Sequence, residues 1–109
     1  MNTKEIRDHK ITTRDGRFWV EGPHLPRPFE KRNPQDAEKF IHWLCDTEAI
    51  EIEPVDQSAK LVQLIPIHVR KLGNNQYWSN YGDYLVETED GFETISHAPL
   101  PSIAFQRVE

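Results

Sequence analysis

The 109-residue chain has one cysteine, Cys45, so no disulfide can form within it. A chain of this length buries about two-thirds of the surface its unfolded form exposes and folds without such staples. No apolar run approaches the roughly 18 residues that span a bilayer, and the opening "MNTKEIRDHK" lacks an apolar signal core. These absences predict a cytoplasmic protein with no membrane partner. The five glycines, at 16, 22, 73, 82 and 91, are never clustered, which excludes a phosphate-cradling loop. The net charge is −5. A general nucleic-acid binder needs a basic face to displace counterions, so no direct nucleic-acid binding is expected.

Chemistry-bearing clusters are equally scarce. His9, His24, His42, His68 and His97 stand far apart, no pair at helical spacing, and no Cys-x-x-Cys occurs. A metal site needs several such ligands together, so no metal and no cofactor is predicted. Cys45 sits near a helix C-terminus beside Asp46 and Glu48, and both carboxylates disfavour the thiolate that a nucleophile requires. The pairs Glu51/Glu53 and Glu87/Glu89 are two apart on strand-like runs. They share a wet face, whereas a general acid needs burial to raise its pKa. The expectation is a protein that is not an enzyme.

What is present is structural grammar. "ITTRDGRFWV" places Asp15-Gly16 between β-prone runs, a hairpin signal, and predicts strands near 8–13 and 17–21. "GPHLPRPFEKRNP" is too rich in proline for helix or central strand. It predicts an extended crossover, partly polyproline II, pegged by Leu25 and Phe29. Asn33-Pro34 then starts a helix: Asn is a good N-cap, and Pro suits the first helical position. Ala37, Phe40, Ile41 and Leu44 form an i, i+3, i+4, i+7 stripe. Strands follow around Ile50 and Ile52, along "KLVQLIPIHVRKL" with Pro66 in its middle, from Tyr77, and on either side of Asp90-Gly91. The tail is extended, with Ile103, Phe105 and Val108 able to dock. This predicts one α+β domain over residues 1–109, a small antiparallel β-sheet of about five or six strands with one amphipathic helix packed on it.

The stretch with binding character is "GNNQYWSNYGD", residues 73–83. Amphipathic aromatics among small polar residues are typical of contact surfaces. The candidate surface is Asn74, Asn75, Gln76, Tyr77, Trp78, Asn80 and Tyr81. Strand alternation puts Tyr77 and Tyr81 on one face and Trp78 and Asn80 on the other, so at least one ring belongs to the core.

"YGDYLVETEDGFETI", Tyr81 to Ile95, resembles the C-terminal signature of small phage and prophage proteins of unknown function. That signature is a Pro-Gly-Asp-aromatic-aliphatic-Val run, a Gly turn, a strand, and a terminal Phe with a closing Glu. Gly82, Asp83, Tyr84, Leu85, Val86 and Gly91 match it, and Phe105 and Glu109 match loosely. Tyr81 replaces the family's proline, and Val108 its final aromatic. The resemblance implies a compact α+β fold, a mobile-element origin and residence in the host cytoplasm, and brings no catalytic residues. The function expected is a non-catalytic binding protein that blocks a host or phage protein. The alternatives are a binder of a nucleotide-like small molecule, and an acidic immunity protein or nucleic-acid mimic. The last expects Asp46, Glu48, Glu51 and Glu53 on one face with Glu87, Glu89, Asp90 or Glu93.

Overall fold

The computed structural model describes residues 2–56, 66–95 and 102–109. The chain forms two compact units, Met1–Thr47 and Glu48–Glu109. It is mostly β with one helix. The expected single sheet is two separate ones: a four-stranded antiparallel sheet in the first unit and a closed six-stranded barrel in the second.

In the first unit, β1 (Asn2–Ile6), β2 (His9–Arg14), β3 (Arg17–Glu21) and β4 (Phe29–Lys31) lie side by side in chain order. Asp15 and Gly16 both take positive φ, 53° and 73°, so the Asp-Gly turn forms the two-residue hairpin its sequence predicts. The β1–β2 turn works the same way through Arg7 and Asp8, at 47° and 67°. No glycine marks it, and β1 has no counterpart in the sequence reading. The proline crossover departs from polyproline II at its start, where the Leu25 N–H donates to the Gly22 carbonyl at 3.1 Å. That turn buries Leu25, and Phe29 at the far end meets Phe40 edge-on at 6.2 Å.

Helix α1 (Pro34–Asp46) starts where the sequence sets it. The Asn33 side chain accepts from the Asp36 N–H at 2.8 Å, a cap of about 1 kcal/mol. The helix packs on β2, β3 and β4 and buries Ala37, Ile41 and Leu44. Phe40 stays half-exposed, with the Lys31 ammonium 3.9 Å from its ring centre. Partial burial there pulls the Lys31 pKa below its ordinary value, and Asp36 opposes the shift. The last turn of α1 contains no basic residue. Arg7 supplies the cation from the β1–β2 turn: it pairs with Asp46 at 2.8 Å and donates to His42 Nδ1 at 3.3 Å. A cation there complements the helix dipole.

The second unit is an up-and-down barrel. Its strands are β5 (Ile50–Pro54), β6 (Ile67–Lys71), β7 (Gln76–Ser79), β8 (Tyr84–Glu87), β9 (Phe92–Thr94) and β10 (Ala104–Arg107). Each pairs with the next, and β10 returns to β5, with Gln106 opposite Glu53 and Arg107 opposite Ile52. Strands of three to five residues twist freely enough to curl a sheet shut. Ile52, Ile67, Val69, Tyr77, Leu85 and Phe92 fill the interior, and Ile50, Tyr81 and Phe105 pack against them. Tyr77 and Phe92 meet edge to face at 4.9 Å, the arrangement their quadrupoles favour. Of the tail residues expected to dock, Phe105 does so, while Ile103 and Val108 remain exposed. Residues 61–65, assigned from sequence to the β6 run, lie outside the described residues.

The two-residue turn of this hairpin falls one residue earlier than Asp90-Gly91: Thr88 and Gly91 exchange backbone hydrogen bonds, Thr88 N–H to the Gly91 carbonyl at 2.7 Å and Gly91 N–H to the Thr88 carbonyl at 3.4 Å, around Glu89-Asp90. Gly91 is required for another reason: a Cβ on it would overlap the backbone carbonyl oxygen of Phe105 on β10. Gly22 has a parallel role in the first unit, where a Cβ would strike the buried His9 ring. That ring is pinned by its Nδ1–H, which donates to the Arg7 carbonyl at 3.0 Å.

Two expectations follow for urea denaturation followed by tryptophan fluorescence and amide exchange. Gly91→Ala lowers stability by about 3 kcal/mol, because overpacking falls on backbone that cannot yield, and strips exchange protection from β9 and β10 first. Gly22→Ala costs about 1–3 kcal/mol. Gly73→Ala, where a Cβ meets open space, stays within about 0.5 kcal/mol and serves as the control.

Candidate binding surface

The structure separates the seven residues of the predicted surface. Tyr77 points into the barrel and belongs to its core. Trp78 points outward by strand alternation, opposite Arg70 and Tyr84, yet is only 8% exposed, and Arg70 is buried too. Asn80 is 1% exposed. Tyr81 is half-buried against the core. Asn74, Asn75 and Gln76 remain exposed, in the β6–β7 turn and at the start of β7. The aromatic stretch is therefore mainly barrel framework, and of the seven residues it is the polar tip, Asn74 to Gln76, that is fully presented to solvent.

Asn80 and Ser79 have structural work that composition does not reveal. Asn80 Oδ1 accepts the His68 N–H at 3.0 Å, and its Nδ2 donates to the Pro66 carbonyl at 2.9 Å. Its own N–H donates to the His68 carbonyl at 2.9 Å. Through these bonds one amide side chain extends the β6–β7 ladder from His68 to the Pro66 carbonyl. Ser79 Oγ accepts from the Tyr81 and Asp83 N–H groups, at 3.2 and 3.1 Å. The Gly82 N–H donates to the Ser79 carbonyl at 2.9 Å, with Gly82 at φ 91°. The "SNYGD" stretch is thus a tight, internally satisfied turn into β8.

Of the large apolar side chains left exposed among the described residues, two fall together on the next hairpin, while Val55, Leu72, Ile103 and Val108 are exposed elsewhere. Leu85 and Phe92 face inward, so Tyr84 and Val86 on β8, and Glu93 and Ile95 along β9 and just past its end, face outward. Leu85 is opposite Thr94, and the Ile95 N–H donates to the Tyr84 carbonyl at 2.9 Å. Tyr84 and Ile95 are therefore direct cross-strand neighbours. They are 57% and 47% exposed. The sequence carried a sign of this: β8 reads Tyr-Leu-Val-Glu, apolar on both faces at its start, whereas a strand with one wet face alternates.

Within the sequence of this hairpin charge has one sign, although Arg107 of β10 reaches it in space. Residues 72–106 contain Asp83, Glu87, Glu89, Asp90 and Glu93 and no lysine or arginine. Over residues 48–109 there are four Lys/Arg against ten Asp/Glu, a net −6, while residues 1–47 carry nine against eight, a net +1. At one end of the barrel an open depression of about 690 Å³ is lined by Glu53, Glu87, Glu89, Asp90 and Glu109, with Arg107 beside them. Arg107 reaches Glu87 at 3.9 Å and lies over the Phe92 ring. Of the acidic residues expected on one face, Glu53, Glu87, Glu89 and Asp90 gather here. Glu51 lies 3.8 Å from His68, and Asp46 belongs to the first unit with Arg7.

Among the described residues no group of three or more His, Cys, Asp or Glu is placed to hold a metal ion, and no helix is long and apolar enough to cross a membrane. Comparison with protein-family models, with curated proteins and with solved structures finds no match.

Asn80→Ala leaves two backbone groups without partners. It is expected to destabilise the barrel by about 2–3 kcal/mol, read as a lower urea midpoint at unchanged slope. A loss under about 0.5 kcal/mol would show that water replaces the amide.

Proposed function

We propose that this chain is a small binding protein with no chemistry of its own, carried by a phage, prophage or related element, that acts by occupying a protein of the host or of the phage. The observation that carries the reading is the outward pair Tyr84 and Ile95, which leaves two large apolar side chains in water on a barrel wall. A closed barrel has no free strand edge with which to recruit another chain, so recognition falls to its outer face and its ends. Mobile-element origin rests on the sequence resemblance over Tyr81–Ile95. The candidate surface moves with this reading from the 73–83 stretch to the β8–β9 hairpin that follows it.

The acidic alternative draws support from the depression that collects Glu53, Glu87, Glu89 and Asp90. The nucleotide-like alternative draws none from the same place, because carboxylates repel phosphate.

The test is capture from bacterial lysate by the tagged chain, in parallel with a Tyr84→Ser/Ile95→Ser variant whose amide spectrum shows an intact barrel. The native chain is expected to retain a protein in near-stoichiometric amount and the variant to lose at least 90% of it. Equal retention by both would sink the assignment to this face.

A further inference from the structure

We propose that the partner docking on Tyr84 and Ile95 presents an apolar side chain ringed by lysine and arginine. This deepens the reading above and rests on it. The centre of the face is apolar: Tyr84 and Ile95 opposite one another, with Val86 one step along the same outer side of β8. Its surround is anionic. Asp83 precedes Tyr84 and is exposed, and Glu93 lies opposite Val86; Glu89 and Asp90, exposed at the far tip of the hairpin, extend the same sign along it. No cation occurs in the sequence between Lys71 and Arg107 to break this field. Arg107 is turned toward Glu87 and Phe92, and Arg70 is buried.

Physical consequences separate this occupant from others. A second copy of the hairpin would set carboxylates against carboxylates, and an anionic lipid surface or nucleic acid would be repelled by the same groups. A basic rim is attracted before contact, so charge acts on the rate of encounter and is screened by salt. The apolar pair then acts on the lifetime of the complex.

The experiment is an amide-spectrum titration of the full ¹⁵N-labelled chain with two twelve-residue synthetic peptides. They share a Trp-Leu centre and differ in flanks of lysine or glutamate. The lysine-flanked peptide is expected to shift the amides of residues 84–86 and 93–95 saturably, and to bind about tenfold more weakly when salt rises from 25 to 300 mM. The glutamate-flanked peptide is expected to shift none of them. Asp83→Asn/Glu93→Gln should weaken the lysine-flanked peptide several-fold, and Tyr84→Ser/Ile95→Ser should abolish its binding. Equal binding of the two peptides, or shifts confined to other residues, overturns the proposal. The two readings fail separately. If the lysate protein is lost with Tyr84→Ser/Ile95→Ser but held unchanged by Asp83→Asn/Glu93→Gln at both salt concentrations, docking on this face stands and the basic partner falls.

Discussion

The pairing of β10 with β5 is the constraint on which the second unit depends. Three register pairs make it, Phe105 with Pro54, Gln106 with Glu53 and Arg107 with Ile52. Further backbone bonds run from Val55 N–H to the Ala104 carbonyl and from Val108 N–H to the Glu51 carbonyl, both at 3.0 Å. The Gln106 amide also donates to Glu53 at 3.1 Å. Without this seam the six strands would be a narrow open sheet with two bare edges and a core exposed along one side. With it, Phe92, Leu85, Tyr77 and Val69 become an interior. At Gly91, just before β9, the chain passes close against the Phe105 carbonyl of β10, and the absence of one carbon atom there lets the last strand settle.

Closure moves the polar accounting to the barrel's ends. Buried backbone groups must find partners wherever a ladder stops. At the Pro66 end Asn80 supplies both a donor and an acceptor, and at the turn into β8 Ser79 accepts two amides. These residues are spent on structure, although their types also suit a contact surface. What remains for recognition is the outside of the wall. There Tyr84 and Ile95 sit within a carboxylate field that the near-neutral first unit does not share.

Local features were legible in the sequence. The Asn33 cap, the Pro34 start, the buried Ala37, Ile41 and Leu44, the Asp15-Gly16 hairpin and the alternation of Ile50 and Ile52 each follow from a few adjacent residues. Features made by distant residues were not. Closure of β5 against β10 leaves no mark on either strand, so one open sheet was the natural reading. β1 carries no such local mark, because its turn places Arg7 and Asp8, rather than glycine, at positive φ. Asn80 looks the same in a one-letter string whether it faces water or holds Pro66 and His68 together. The inner face of β8 is not legible in Tyr-Leu-Val-Glu, which is apolar on both sides; it is set by Leu85 joining Phe92 in the barrel core, a fact of three dimensions.

The seam also sets the order in which the barrel can assemble. Glu53 and Gln106 are 53 residues apart, whereas the β8–β9 loop spans four. By loop-closure entropy the long pairing costs about 2 kcal/mol more to bring together than the short one. Local hairpins therefore organise early, and the seam forms once they have brought the two outer strands within reach, the pattern of a chain whose slowest contact is its most distant. Until that moment β5 and β10 are bare edges flanking an apolar face. Gly91, in the loop just before the strand that receives β10, keeps clear the space that the Phe105 carbonyl occupies once the seam has formed.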